Sequence, residues 1–423
     1  MVYFLKKILK MKDKIKVLCV PSDKGGCGLH RSVIPHNKLE ELYGNEFDVT
    51  IDYFVDWKDL NRISTFDIIH FHKGIYPDME GFKLALDFCK KNNIVTIMDI
   101  DDYWELGQQH PQYHMYKQNN ICQMVKDNLI KVDYVTTTTP IFANKIKKFN
   151  KNVKIFPNAL DSNMVNKIKE GKKKSKRIRF GFVMGSTHQY DMELVRGLIN
   201  KLPNNILDKI QVLLCGYDLN GTMTEIKNGQ STRRPLRPEE TVWYDYECNV
   251  TENYRIVSPQ YKDFLLKFIP NLDYPNSDNE LYKRCWTKVT DNYEYLKHYN
   301  DIDVLLVPLQ ENAFNECKSE LKFVEGGMMG VAVVASNVNP YTIGSKNFLE
   351  KGGKINEDGN CILIENRKAH KDWAKVIEKL VNNPEYITKL QENMSKHISE
   401  NYDINKITQK RAEWYKQICK NNG

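Results

Sequence analysis

NAFNECKSELKFVEGGMMGVAVVASNVNPY, residues 312–341, constrains the architecture more tightly than any other segment of the chain. It opens as a polar loop carrying Lys318 and Ser319 and continues as a helical segment with Leu321, Phe323 and Val324 apolar. Glu325 then precedes a Gly-Gly pair, and the stretch closes in the apolar strand VAVVAS. The preceding run DIDVLLVPLQ (301–310) is a second apolar strand, halted at Pro308 where a loop at the carboxyl edge of a parallel sheet begins. Free N–H groups at such a helix start face an anion, the helix dipole favours negative charge, and Lys318 and Lys322 add full positive charges. A carboxylate at Glu325 can hold the hydroxyls of a sugar or a ribose. The same residues also fit a plain βαβ crossover with a solvated lysine face.

Outward from this stretch, both halves read as doubly wound α/β structure. In the first half IKVLCV, VTIDYF, FDIIHFH, IVTIMDI, DYVTTT and VKIFPN are strand candidates, and helical stretches such as FKLALDFCKKN and FANKIKKF separate them. Such alternation implies a parallel sheet with its ligand site at the carboxyl ends of the strands. After NVKIFPNALD a lysine-rich run, KIKEGKKKSKRIR, marks a linker, and a fresh strand follows in RFGFVMG and another in IQVLLCG. The expected division is therefore a first domain over 1–160 and a second over 161–400. Residues 219–297 read as an insertion rich in arginine and aromatics, and 401–423 as a terminal helix.

A chain of 423 residues suits two domains, and no apolar run approaches the roughly 20 residues of a membrane span. The start MVYFLKKILKMKDK lacks a signal-peptide core, and reads as a lead-in or, in the alternative, a membrane-surface anchor. Ten cysteines without a C-x-x-C pair fit reduced thiols in a cytoplasmic protein and no zinc module. His110 and His114 stand four apart with Pro111 between them and no third ligand, so no metal is expected there. The net charge of +8 suits an anionic substrate, an anionic lipid surface or nucleic acid alike.

The stretch 312–341 resembles the donor segment of GT-B glycosyltransferases, the large retaining family that includes sucrose synthase and bacterial mannosyltransferases. That family carries Glu-x7-Glu there. Glu325 matches the second position, while Cys317 stands at the first and Glu316 lies one residue out of register. Pro157, Asn158 and Asp161 resemble the family's Pro-Asn-x-x-Asp hinge. The resemblance implies two Rossmann-like domains facing across a cleft and a sugar moved from a UDP- or GDP-sugar to an acceptor hydroxyl. It also implies retained configuration, no required metal or other cofactor, and a last helix packed back on the first domain through Ile407, Trp414, Tyr415 and Ile418.

Site residues follow residue by residue. Donor binding falls to Gly185, Ser186 and His188 in GSTHQYD, to Tyr217 for the base, and to Lys318, Ser319, Lys322 and Glu325. Acceptor binding falls to Gly26, Gly28, His30 and Arg31 in the first loop and to Trp104 as a stacking face. In MDIDDYWEL, Asp101 and Asp102, with His72 at the end of another strand, are the candidate catalytic groups, one carboxylate serving as base if the reaction inverts. Asp-x-Asp is also how GT-A enzymes hold a divalent metal, and strand-end caps would explain the same residues. The acceptor is a glycan or lipid-linked sugar. In the alternative it is a hydroxymethylated DNA base, with Arg233, Arg234 and Arg237 beside Trp243, Tyr244 and Tyr246 as an electrostatic and stacking surface. The bland reading of that insertion is an aromatic hairpin and helix with its arginines paired to glutamates. A donor-binding protein without catalysis, or a nucleotide-sugar epimerase, would share the fold.

Overall fold

The computed structural model describes residues 14–171, 175–217, 221–227, 230–237, 240–257, 281–286 and 294–422. The lead-in 1–13, the lysines 172–174 and much of the insertion lie outside them. The chain divides into two compact units. The first comprises the chain up to Ser162 together with Glu316–Leu321 and Tyr402–Gly423, and the second comprises Asn163–Asn315 and Lys322–Asn401.

In the first unit six parallel strands, β1 (Ile15–Val20), β2 (Phe47–Ile51), β3 (Ile68–His72), β4 (Val95–Asp99), β5 (Tyr134–Thr137) and β6 (Val153–Ile155), lie in the order β2-β1-β3-β4-β5-β6. Helices cover them, and their starts are written in the sequence. Asp78 accepts from the Gly81 N–H at 2.9 Å to open Met79–Lys91, and Thr139 with Pro140 behind it opens Pro140–Ile146. The core is closed by Leu18, Ile69, Phe71, Phe82, Met98, Trp104 and Phe142. Because the chain leaves β1 for β2 and returns on the other side to β3, the loops after β1 and β3 diverge. In open α/β sheets a ligand site lies at such a switch point.

The helix Ile404–Asn422 packs on the first unit. Tyr415 Oη lies 3.0 Å from His36 Nε2, Arg411 stacks 4.3 Å from the Phe156 ring centre, and Ile407, Trp414 and Ile418 are buried.

In the second unit β7 (Ile178–Val183), β8 (Ile210–Tyr217), β11 (Tyr282–Trp286), β12 (Val304–Val307), β13 (Ala332–Ser336) and β14 (Ile362–Ile364) form a parallel sheet in the order β11-β8-β7-β12-β13-β14. Its switch point lies between β7 and β12. The antiparallel hairpin of β9 (Thr222–Lys227) and β10 (Gln230–Pro235) and the helix Val242–Val257 stand between β8 and β11. The region read as an insertion therefore ends in a strand of the sheet itself. Phe180, Phe182, Val212, Leu214, Leu306, Val334 and Trp373 fill the core.

The Gly-Gly pair of the opening stretch has a packing cause. A methyl group at Gly326 would stand 2.7 Å from Val333 Cγ2, and one at Gly327 would stand 2.3 Å from Ile398 Cγ1. The helix Leu321–Met329 lies against strand and neighbouring helix at glycine distance.

Candidate active site

The loops above the first switch point carry a hydrogen-bonded relay. His72 ends β3 with its ring buried; Nε2 lies 2.9 Å from Asp101 Oδ1 and Nδ1 lies 2.6 Å from Ser22 Oγ. Ser22 is exposed, directly after β1, and its hydroxyl also stands 2.5 Å from Asp23 Oδ2. Past His72 the chain turns sharply through Lys73 and Gly74, both in the left-handed region at φ 61° and 67°. This conformation costs a non-glycine residue energy. It aims Lys73 Nζ at Asp102 Oδ2 (3.1 Å) and Asp101 Oδ1 (3.4 Å). Burial raises the Asp101 carboxyl, but Lys73 and His72 outweigh it and hold the group well below the usual carboxylate range. Burial likewise opposes the Lys73 charge, yet Asp101 and Asp102 hold its ammonium well above its ordinary value. Asp101 therefore stays ionised and accepts from Nε2, so in the neutral ring the lone pair falls on Nδ1.

A second network supports this one from below. Arg31 Nε and Nη2 grip both oxygens of Asp99 at 2.9 and 2.8 Å, and Nη1 donates to Phe156 O and Asn158 Oδ1. Thr136 Oγ1 donates to Asp99 Oδ2, and Asn158 Nδ2 donates to Ser319 Oγ at 2.9 Å. Arg31 is thus a buried tie between strand end, hinge and the segment Glu316–Leu321, not an acceptor ligand. Three other expected acceptor residues are corrected with it. His30 is buried on the same helical turn. Trp104 is 3% exposed and packs its indole on Tyr103, Phe142 and Phe149, so it offers no stacking face. Gly28 is buried where a methyl group would stand 2.0 Å from Asp23 O, so it is glycine for the loop's own closure. Gly26 is exposed with open space beside it.

Expected donor residues fall in both units. Lys318 and Ser319 pack with the first unit, because Cys317 is buried in that unit's core, its thiol pushed up to about 12 by burial. The position of the first glutamate is therefore apolar packing. Lys318 Nζ stands 4.0 Å from Asp102 Oδ1. Glu320, unremarked in the sequence, is buried beside it, and burial raises its carboxyl.

In the second unit Gly185 and Ser186 lie exposed after β7, above the switch point, and a side chain at Gly185 would meet open space. Tyr246 Oη braces this loop, donating to Gly185 O and accepting from His188 N. His188 Nδ1 bonds Asp191 Oδ2 at 2.7 Å, and Asp191 also accepts from Gln310 N and Asn315 Nδ2 in the loop after β12. Glu325 is 1% exposed and accepts from Tyr295 Oη (2.9 Å), Tyr299 Oη and Lys322 Nζ (2.7 Å). Tyr217 ends β8, and its side chain lies outside the described residues.

Among the described residues of the insertion, two aromatics and two arginines are already engaged within the second unit. Trp243 and Tyr246 are buried in the second core, and Arg234 and Arg237 bond Glu240, with Arg234 also on Glu225. Position could have found what the sequence reading missed. Ser22 sits where β1 stops. Tyr295 and Tyr299, four apart on one short helix, face a common partner only once the chain is folded.

No family model matches the chain, and no curated protein matches it. Solved structures do. Anabaena HepE in complex with UDP-glucose superposes with a TM-score of 0.58 at 10% identity, over 96% of this chain and 99% of that one. The trehalose-6-phosphate synthase OtsA gives 0.55 at 10% identity over 96% and 99%. The catalytic domain of Arabidopsis thaliana starch synthase IV, bound to ADP and acarbose, gives 0.54 at 11% identity over 96% and 99%. With its two doubly wound parallel sheets, the chain has the GT-B fold of glycosyltransferases.

Proposed function

We propose that this chain transfers a sugar from a UDP- or GDP-sugar to the hydroxyl of a glycan or lipid-linked acceptor. The relay Ser22–His72–Asp101 carries the reading. An acceptor hydroxyl takes the place of Ser22 Oγ on His72 Nδ1 and passes its proton there as its oxygen attacks the anomeric carbon. Asp101 holds the ring and its charge from the far side, and Asp23 accepts from the displaced Ser22 hydroxyl. In the second unit the N–H groups of Gly185 and Ser186 and the cation of Lys322 receive the diphosphate. Glu325 receives the ribose once Tyr295 releases it.

A positioned base and a buried cysteine in place of the first glutamate favour a single displacement with inversion, against the retention that the resemblance implies. Lys322 and the backbone N–H groups bind the leaving group, and transfer is expected without added metal.

A thermal-shift screen of nucleotide sugars followed by turnover of the binding one tests this. A true donor at about a hundred times its dissociation constant adds roughly 2.7 kcal/mol. His72→Ala keeps that shift and loses about 10²- to 10⁴-fold in transfer. Wild-type turnover in His72→Ala would remove the base from the reaction. The anomeric proton coupling of the product reads the stereochemistry.

A further inference from the structure

We propose that Cys215, Cys285 and His298 form a zinc site in the second unit, separate from the transfer chemistry. Cys215 lies near the end of β8, and the parallel register pairs it with Cys285 on the edge strand β11. Paired residues on neighbouring parallel strands send their side chains to the same face, so the two thiols leave the sheet side by side. His298 comes from a third element, the short helix Glu294–Asp301. The two Sγ atoms and an imidazole nitrogen all lie within 4.8 Å of one another. Bonds of about 2.3 Å to sulfur and 2.0 Å to nitrogen around one tetrahedral ion need only a small further closure. Both cysteines are buried and His298 is half-buried, which shields the ligands while leaving a fourth position for water. Two thiolates and an imidazole select zinc over magnesium or calcium.

Two other clusters of donors are found among the described residues. In Cys19–His36–His70 both nitrogens of His36 are engaged, by Ser32 O and Tyr415 Oη. In Cys27–Asp101–Asp102 the Lys73 ammonium already stands against both carboxylates. Around the proposed site the nearby ammonium of Lys283 is turned to Asp301, 3.1 Å away. The helix that supplies His298 also supplies Tyr295 and Tyr299 to Glu325. An ion here fastens the edge strand to the element that holds that carboxylate.

The test uses the full chain, reduced and stripped with a chelator, then given zinc or cobalt. Gel filtration should retain about one zinc per chain. Cobalt should give the near-ultraviolet thiolate charge-transfer band and the visible bands of a tetrahedral site. Cys285→Ser and His298→Ala should each weaken zinc at least about tenfold, whereas Cys19→Ser should not. Absence of the thiolate–cobalt band in wild-type protein overturns the site without reliance on any variant. So does uptake unchanged in Cys285→Ser. A Cys215–Cys285 disulfide in the isolated protein, with no zinc uptake after its reduction, overturns it as well.

Discussion

Asp101 is a carboxylate and accepts from His72 Nε2, and an amide in its place would reverse that bond. In Asp101→Asn the side-chain N–H donates to Nε2, the ring proton moves to Nδ1, and the proposed base is presented the wrong way round. Transfer should fall by about 10²- to 10⁴-fold while donor-induced thermal stabilisation is kept, as initial rates and melting curves will show. The same carboxylate has a signature in stability. Burial raises its pKa, Lys73 and His72 lower it by more, and the folded value lies below the ordinary 3.8. A depressed carboxylate stabilises the fold fully above its unfolded pKa and loses that stabilisation as pH falls towards the folded one. Urea titrations at descending pH should therefore show a gap between wild type and Asp101→Asn that is constant above 3.8 and narrows below it. A constant gap throughout would mean that Asp101 is not held by its cations. Residues of this kind were legible by place but not by direction. The carboxyl ends of β3 and β4 were evident, and His72 and Asp101 with them. Which neighbour each ring or carboxylate faces depends on the left-handed turn at Lys73, and Trp104 turned inward because Phe142 and Phe149 form its pocket.

Elements were read best where burial is complete on both faces of a sheet. IKVLCV and IQVLLCG are continuous apolar runs and form β1 and β8. The edge strand β11, YKRCW, escaped notice because an edge tolerates charge, and Lys283 is satisfied there by Asp301. Two substitutions test how the elements are joined. Arg31→Met leaves Asp99 buried without its cation and should cost about 3–5 kcal/mol in denaturant unfolding. Were Arg31 an acceptor ligand instead, stability would hold and only the acceptor KM would rise. Gly327→Ala forces a methyl group against Ile398 and the Met394 carbonyl. Overpacking of about 1–3 kcal/mol is expected, visible as a lowered midpoint.

At the scale of the molecule, the first unit is assembled from three separated pieces of chain. Stopping the chain before Ile404 strips Tyr415 from His36 and Arg411 from Phe156. Such a truncated chain should show fast amide exchange in β1 and in the helix Ile34–Tyr43 while β7 and β12 stay protected. Uniform loss across both units would instead show that they unfold together. The arrangement also sets an order of events during synthesis. His36 and Tyr415 are 379 residues apart, so the segment around His36 waits for the helix Ile404–Asn422. The second unit lies wholly before Tyr402 and can close first, while the first unit stays open until the residues from Tyr402 onward are made. A chain interrupted before Ile404 presents an unfinished seam of His36, Phe47 and Phe156, which marks it for chaperones and proteases before it can act.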